Sequence, residues 1–360
     1  MALEVIAIIL IDKRSSQYSD RPASYIADKL IMGGDHLMLM NANKRWRQGR
    51  KLYHQHFMES KCERDHVPLQ NAEAVQMLRD ILLDPENIMY HPKRFSNSII
   101  MSLNQQDKLK LTRHELNLMC GNLTEGGSDT TSSMILVFIQ AMLKYPNVQR
   151  EAQQQIDCII GEERSPEWTD YDRLPYVAMV VKETMRWRPV APLAFPHALN
   201  KDDEIDGLTI PKNSTVVINV WGLHNDPARY PDPERFDPSR FEGQTQLAPE
   251  YANSPNYEQR DHYAYGAGRR ICPGMHLAER SMFLAMAKIL WAFDLSPKLD
   301  EKGRQLMVDT SAESGYSDGF LHCPKPFEAN IQARSAIRAD TILAEFARAE
   351  NEIFHQFEQA

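Results

Sequence analysis

Two short stretches combine residue types that could do chemistry. In Tyr265-Gly266-Ala267-Gly268-Arg269-Arg270-Ile271-Cys272-Pro273-Gly274, the glycines free the backbone where a side chain would collide with something flat, or where φ must be positive. An apolar run over residues 275–293 predicts a helix directly after Cys272, with Pro273 suited to its first position. The free N–H groups and positive dipole end at such a helix start favour a thiolate, which is a metal ligand. No CxxC or HxxxH partner lies nearby, so a four-ligand zinc site does not fit, whereas an axial ligand to haem iron needs only this one sulfur. The plain alternative is a buried cysteine in a glycine-rich turn. The second stretch is Gly126-Gly127-Ser128-Asp129-Thr130-Thr131, set inside a helical pattern although each glycine costs about 1 kcal/mol against alanine there. Glycines let a flat ligand approach the backbone, and a hydroxyl bonding back to the preceding turn opens a local kink.

The first stretch resembles the haem-binding signature of the cytochrome P-450 monooxygenases, Phe-x-x-Gly-x-Arg-x-Cys-x-Gly. Tyr265 replaces the Phe; Gly268, Arg270, Cys272 and Gly274 are in register, and Ala278 matches the small residue that follows. The second stretch matches the family's Ala/Gly-Gly-x-Asp/Glu-Thr-Thr/Ser pattern. Glu183-Thr184-Met185-Arg186 resembles its Glu-x-x-Arg helix, residues 225–241 its extended meander, and Asp232-Pro233-Glu234-Arg235-Phe236 the stretch with the meander's partner Arg. The resemblance runs from residue 12 to residue 334, with residues 12–22 similar to a segment of fungal members. It implies haem b ligated by the Cys272 thiolate, with Gly266 and Gly274 against the cofactor. Trp46, Arg50, His197 and Arg270 become propionate anchors, and Asp129 and Thr130 an acid–alcohol pair that delivers protons to iron-bound dioxygen. Glu183, Arg186 and Arg235 become a network locking the Cys272 loop. The implied reaction is insertion of one oxygen atom of dioxygen into an organic substrate of the fungal secondary-metabolite type. Electrons would come from an NADPH-dependent reductase docking near Lys44, Arg45, Arg47, Lys51, Arg269 and Arg280.

The elements that must position these groups are mostly helices. Periodicity and breakers predict helices over 43–57, which places Trp46 and Arg50 on one face, over 72–83, 91–103, 146–160 and 176–188, and over a long central stretch opened by a capping box at 112–115 and ending before Pro146. Strands are expected over 193–199, 204–210 and 215–219, with a turn at Asp206-Gly207, and over 295–296 and 327–333. The expected architecture is mainly α: the P-450 fold with a small β-sheet, a single domain over 1–335 and a charged helical tail over 336–360. Relative to the family it lacks part of the N-terminal sheet and the lid helices, since residues 104–111 are too few for two helices.

A net charge of −8 over 360 residues argues against a general nucleic-acid surface. Five cysteines without regular spacing imply no disulfide framework. The apolar run 5–11 is too short to span a membrane, while family members usually sit on the endoplasmic reticulum facing the cytosol. A monomer is expected. Two other readings fit parts of the pattern: a truncated non-catalytic haem-binding relative, and a haem-thiolate isomerase or dehydratase, which would be expected to lack Asp129-Thr130.

Overall fold

The computed structural model describes residues 8, 10–106, 113–252, 254, 256 and 259–358. Its framework is nine longer helices: α1 (Lys44–Phe57), α2 (Val67–Leu83), α3 (His91–Gln106), α4 (Arg113–Gly127), α5 (Asp129–Lys144), α6 (Pro146–Ile159), α7 (Pro175–Trp187), α8 (Met275–Ala292) and α9 (Ala336–Ala349). Local chemistry sets several ends. Asn43 caps α1 by accepting the Trp46 N–H at 2.8 Å, and prolines open α2, α6 and α7, where a missing N–H costs nothing. At the C-terminal end of the described stretch, Ser335 caps α9.

The core forms around α5 and α8. Every α5 residue from Thr131 to Leu143 is buried, and so is nearly all of α8, including Phe283, Leu284, Ile289 and Trp291. Helices that are apolar all round belong at the centre of a large domain. Around α8 pack α2, α5, α6 and α7. A second apolar cluster gathers Ile8, Leu10, Ile11, Tyr18, Leu199, Ile218 and Tyr263, so the N-terminal segment lies against the Cys272 loop side of the molecule.

Three antiparallel strand pairs flank the helices: β1 (His197–Ala198) with β4 (Thr215–Val216), β2 (Asp203–Ile205) with β3 (Leu208–Ile210), and β5 (Phe293–Pro297) with β6 (Ala329–Ala333). Asp20 bridges to Ala198, adding the N-terminal segment to the first pair. Helix α9 docks rather than projecting: Ile342 is fully buried, Arg338 and Arg334 pair with Asp157, and Glu345 accepts from the Ser165 backbone and hydroxyl. Ser165 in turn accepts from Lys288, which α8 buries completely and whose pKa burial pulls down to about 8.

The structure corrects several expectations. The central helix is two helices, interrupted at Ser128, because the Thr130 and Ser132 hydroxyls donate to the Gly126 and Ser128 carbonyls and compete with the backbone ladder. Helix α8 starts at Met275 with Gly274 as its N-cap, so Pro273 lies before the helix. The expected turn at Asp206-Gly207 is present, both residues taking positive φ, but it divides the expected strand 204–210 into a hairpin of β2 and β3. Residues 104–106 finish α3, while Thr112 of the expected capping box and residues 107–111 lie outside the described residues. Among the described residues no helix is long and apolar enough to cross a membrane.

Candidate functional site

The sequence motifs converge on one cavity of about 470 Å³ enclosed by α1, α4, α5, the β1 region and the Cys272 loop. Its lining is mainly apolar, including Leu37, Phe57, Ile99, Ile100, Met134 and Leu277. That composition suits an organic ligand oriented by a few polar groups.

Cys272 lies on the wall formed by its loop. The loop is closed by the Cys272 N–H donating to the Tyr265 carbonyl at 2.9 Å, and Gly266 and Gly268 both take positive φ. Gly268 packs directly against the Ile11 carbonyl, where a Cβ could not fit. By contrast, a Cβ built on Gly266, Gly274 or Gly126 would meet nothing within 4 Å, so these glycines present bare backbone beside open space. Burial pushes the Cys272 thiol up, with the Gly274 N–H and the Arg50 guanidinium pulling the other way. Desolvation therefore outweighs the expected support of the thiolate by the helix start. A cation bound at the sulfur would reverse that balance. Among the described residues no group of three or more His, Cys, Asp or Glu could hold a metal ion.

Three guanidiniums line one edge of the same cavity: Arg21, Arg50 and Arg270. Arg50 donates to the Ile271 carbonyl at 2.6 Å, tying α1 to the Cys272 loop. Arg270 donates to the carbonyls of Ser19, Leu37 and Met40 and lies over the Trp46 ring, 4.2 Å from its centroid. Arg21 donates to the carbonyls of Met38, Phe195 and Pro196. Among the described residues none of the three forms an ion pair with a carboxylate. Burial lowers all three; repulsion from Arg50 adds to it for Arg21, lowered to about 10, and repulsion from Arg21 and Arg50 for Arg270, lowered to about 9 and partly offset by Asp20. Trp46 is buried, and its indole N–H meets no acceptor among the described residues. Excess buried positive charge beside an orphaned donor calls for an anion.

His197 also lines the cavity, with its Nδ1 2.7 Å from the Tyr18 carbonyl. A carbonyl only accepts, so Nδ1 carries the proton. Burial, then Arg21, lowers the ring's pKa to about 3, leaving it neutral with Nε2 as a bare acceptor. In this state it cannot donate to an anion; an anion placed beside it would have to raise its pKa first.

The opposite wall is the α4–α5 junction. Gly126, Gly127, Thr130 and Thr131 line the cavity, while Asp129 lies on the exposed side, one helical step of about 100° away. The two glycines serve different ends. A Cβ on Gly127 would collide with Ile100, and the Gly127 carbonyl accepts from Ser96; Gly126 faces open space. Sequence reading named Asp129 and Thr130 as a pair, yet only Thr130 reaches the wall.

Glu183 and Arg186 are fully buried and form a fork of two 2.7 Å bonds. Arg186 also donates to the carbonyls of His224, Pro233 and Arg235, and Glu183 accepts the Asp237 N–H. Arg235 enters only through its carbonyl, because Phe236 takes the inward position; the second guanidinium near Glu183 is that of Arg240, at 3.5 Å. Arg280 is corrected likewise. It is buried, stacks on Trp168 and pairs with Glu59 and Glu63, which removes it from the exposed basic set of Lys44, Arg45, Arg47, Lys51 and Arg269.

Sequence reading missed Arg21, Arg240 and the His36–Glu125 pair. For Arg21 a signal existed: it precedes Pro22, which holds its backbone extended, within the segment 12–22 already singled out. The residues present fit a flat dianionic cofactor with a metal over Cys272. The glycine backbones leave room for its faces, and the arginines and the Trp46 indole match its acidic edge.

A family model described as Cytochrome P450 matches residues 83–308. Cytochrome P450 monooxygenase macC of Penicillium terrestre is 43% identical over 446 aligned positions, covering 97% of this chain and 83% of the relative. Cytochrome P450 monooxygenase yanC of Aspergillus niger is 44% identical with the same coverage, and anuE of Penicillium roqueforti is 42% identical over 97% of this chain and 90% of its own. An alignment of 446 positions over a chain of 360 leaves at least 86 at which macC has a residue and this chain none. A zebrafish cytochrome P450 solved with progesterone superposes with a TM-score of 0.75 at 19% identity, covering 91% of this chain and 92% of that one.

Proposed function

Since the chain belongs to the cytochrome P450 family and is an oxidoreductase of its monooxygenase class, we propose that it holds haem b through Cys272 and oxidises an apolar fungal secondary metabolite. The observation that carries this reading is the meeting, in one cavity, of a lone cysteine and three guanidiniums that form no ion pair with a carboxylate among the described residues. When bound, the haem supplies dioxygen activation: one oxygen atom enters a C–H bond, and the other leaves as water with two protons and two electrons.

The chain's own residues do the rest. Cys272 gives the thiolate ligand. Arg21, Arg50, Arg270 and the Trp46 indole would hold the two propionates, and His197 would join them once the anion's charge raises its pKa enough for it to take up a proton. Gly266, Gly274 and Gly126 admit the macrocycle. The Thr130 hydroxyl donates to the Gly126 carbonyl at 2.8 Å and so offers its lone pairs to the cavity. Its task is to hold a proton-bearing group there, while exposed Asp129 exchanges protons with solvent on the other side of the same junction. The Glu183–Arg186 fork, with the Arg235 carbonyl and Arg240, fixes the meander. Lys44, Arg45, Arg47, Lys51 and Arg269 form the docking face for an NADPH-dependent reductase, since complementary charge steers such encounters. Residues 1–335 constitute the haem-thiolate domain, working as a monomer, and α9 of the 336–360 stretch is packed onto it through Ile342, Arg338 and Glu345.

The test is the carbon monoxide difference spectrum of the dithionite-reduced protein beside Cys272→Ser. A strongly red-shifted Soret band in the parent and its loss in the variant is the expected result. A parent without haem, or with the band of histidine ligation, refutes the reading.

A further inference from the structure

Away from the arginine edge, the cavity wall carries one carboxylate, Glu125, on the last turn of α4. It is held from outside the helix. His36, itself buried, places its Nε2 2.7 Å from Glu125 Oε2, and the carboxylate can only accept, so the ring donates. The carboxylate has room for about four hydrogen bonds, and no second partner meets it among the described residues. The segment that carries His36 is fixed in turn. Its Leu37 and Met40 carbonyls accept from Arg270, and its Met38 carbonyl from Arg21. Glu125 is thus a partly exposed, aimed acceptor on the wall of a mainly apolar cavity whose other polar lining includes Ser96, Asn122, Thr130 and Thr131.

We infer that Glu125, positioned by His36, selects the substrate: a compact, uncharged apolar molecule bearing one hydroxyl or N–H that reaches this carboxylate. The assignment rests on the haem monooxygenase reading of the cavity. A donor that leaves water finds a charged acceptor, a matched hydrocarbon gains no such bond, and an anionic substrate meets like charge. Selection therefore works in both directions.

The experiment is an equilibrium titration of the haem-loaded protein with 2-naphthol, naphthalene and 2-naphthoate, followed by haem absorption, in the parent, Glu125→Ala, Glu125→Gln and His36→Ala. Haem content and the carbon monoxide spectrum are recorded for each. The parent is expected to bind 2-naphthol at least about tenfold more tightly than naphthalene and to exclude 2-naphthoate. Glu125→Ala should bring the naphthol-to-naphthalene ratio close to one. Glu125→Gln should keep part of the preference while admitting 2-naphthoate, and His36→Ala should lower the ratio with the carboxylate still present. A parent ratio near one, or a ratio that survives Glu125→Ala with haem intact, overturns the assignment and leaves the monooxygenase reading standing. Should Glu125→Ala lose haem, Glu125→Gln decides: unchanged naphthoate exclusion together with an unchanged ratio overturns it. A parent without thiolate-bound haem is a failure of the underlying reading instead.

Discussion

Two buried charge clusters stand at opposite ends of one design. Around Glu183 every charge is answered from within: a bidentate fork, three carbonyls on Arg186, a backbone N–H on Glu183 and a second guanidinium nearby. At the cavity edge Arg21, Arg50 and Arg270 find carbonyls but no ion-pair partner among the described residues; Arg50 raises the cost of Arg21, and both raise that of Arg270, which Asp20 offsets only in part. A closed cluster is scaffold, and its members matter for folding. An open one is a site, where the missing partner is the ligand. Glu279 falls between. It accepts the Ala248 N–H with one oxygen while the other meets no partner among the described residues, and burial pushes its pKa up to about 7.

The sharpest way to break this contrast is in the closed cluster. Arg186→Ala leaves Glu183 buried without its fork, and should cost about 3–5 kcal/mol in urea unfolding, with or without cofactor. Equal stability of the two proteins would show the cluster is not closed. Glu279→Gln should act with the opposite sign. The folded state binds the extra proton between pH 4.5 and 7, so wild-type stability falls as pH rises through that window. The variant lacks that fall and should be up to about 3 kcal/mol more stable than wild type at pH 8, with little difference at pH 4.5. A parallel pair of stability–pH curves would refute it.

In the open cluster, Arg50→Met should weaken haem retention about tenfold, read from transfer to apomyoglobin, since charge-assisted bonds are worth about 1.5–3 kcal/mol. The apoprotein should lose no more than about 1 kcal/mol, because one carbonyl bond is removed and like-charge repulsion is relieved. A large loss of apoprotein stability would make Arg50 scaffold too. The smallest effect is expected from succinate. At millimolar concentration it should raise the apoprotein's melting temperature by a degree or so through the arginine edge, and do so less in Arg50→Met.

The fold and the metal-side motif were legible because their signals are local. Spacing within one stretch placed Cys272 with Gly266 and Gly274, Trp46 with Arg50 on α1, and Glu183 with Arg186 on α7. What stayed hidden joins segments far apart in sequence. Arg21 meets Phe195 and Pro196, His36 meets Glu125, and Arg240 rather than Arg235 approaches Glu183 because Phe236 is drawn inward. Arg280 reads as surface charge until Trp168 and two glutamates close over it. The break at Ser128 was visible only as a reason for kinking, since hydroxyl competition with a helix ladder depends on rotamers that sequence does not set.

The packing of Gly268 on Ile11, with Arg270 reaching Ser19 across 251 residues, has a kinetic consequence. The loop around Cys272 gains its shape only when the N-terminal segment meets a stretch 251 residues further along the chain. Contacts of such separation form late, because loop closure must be overcome before they reward it. Helices α2, α3, α6 and α7 can pair earlier through shorter loops. Haem capture then belongs to the last stage of folding, after the helical core has collapsed, and a kinetic intermediate that lacks the N-terminal contact should be helical, compact and unable to retain the cofactor. Stopped-flow refolding with haem present should show far-ultraviolet signal leading Soret signal by a resolvable interval.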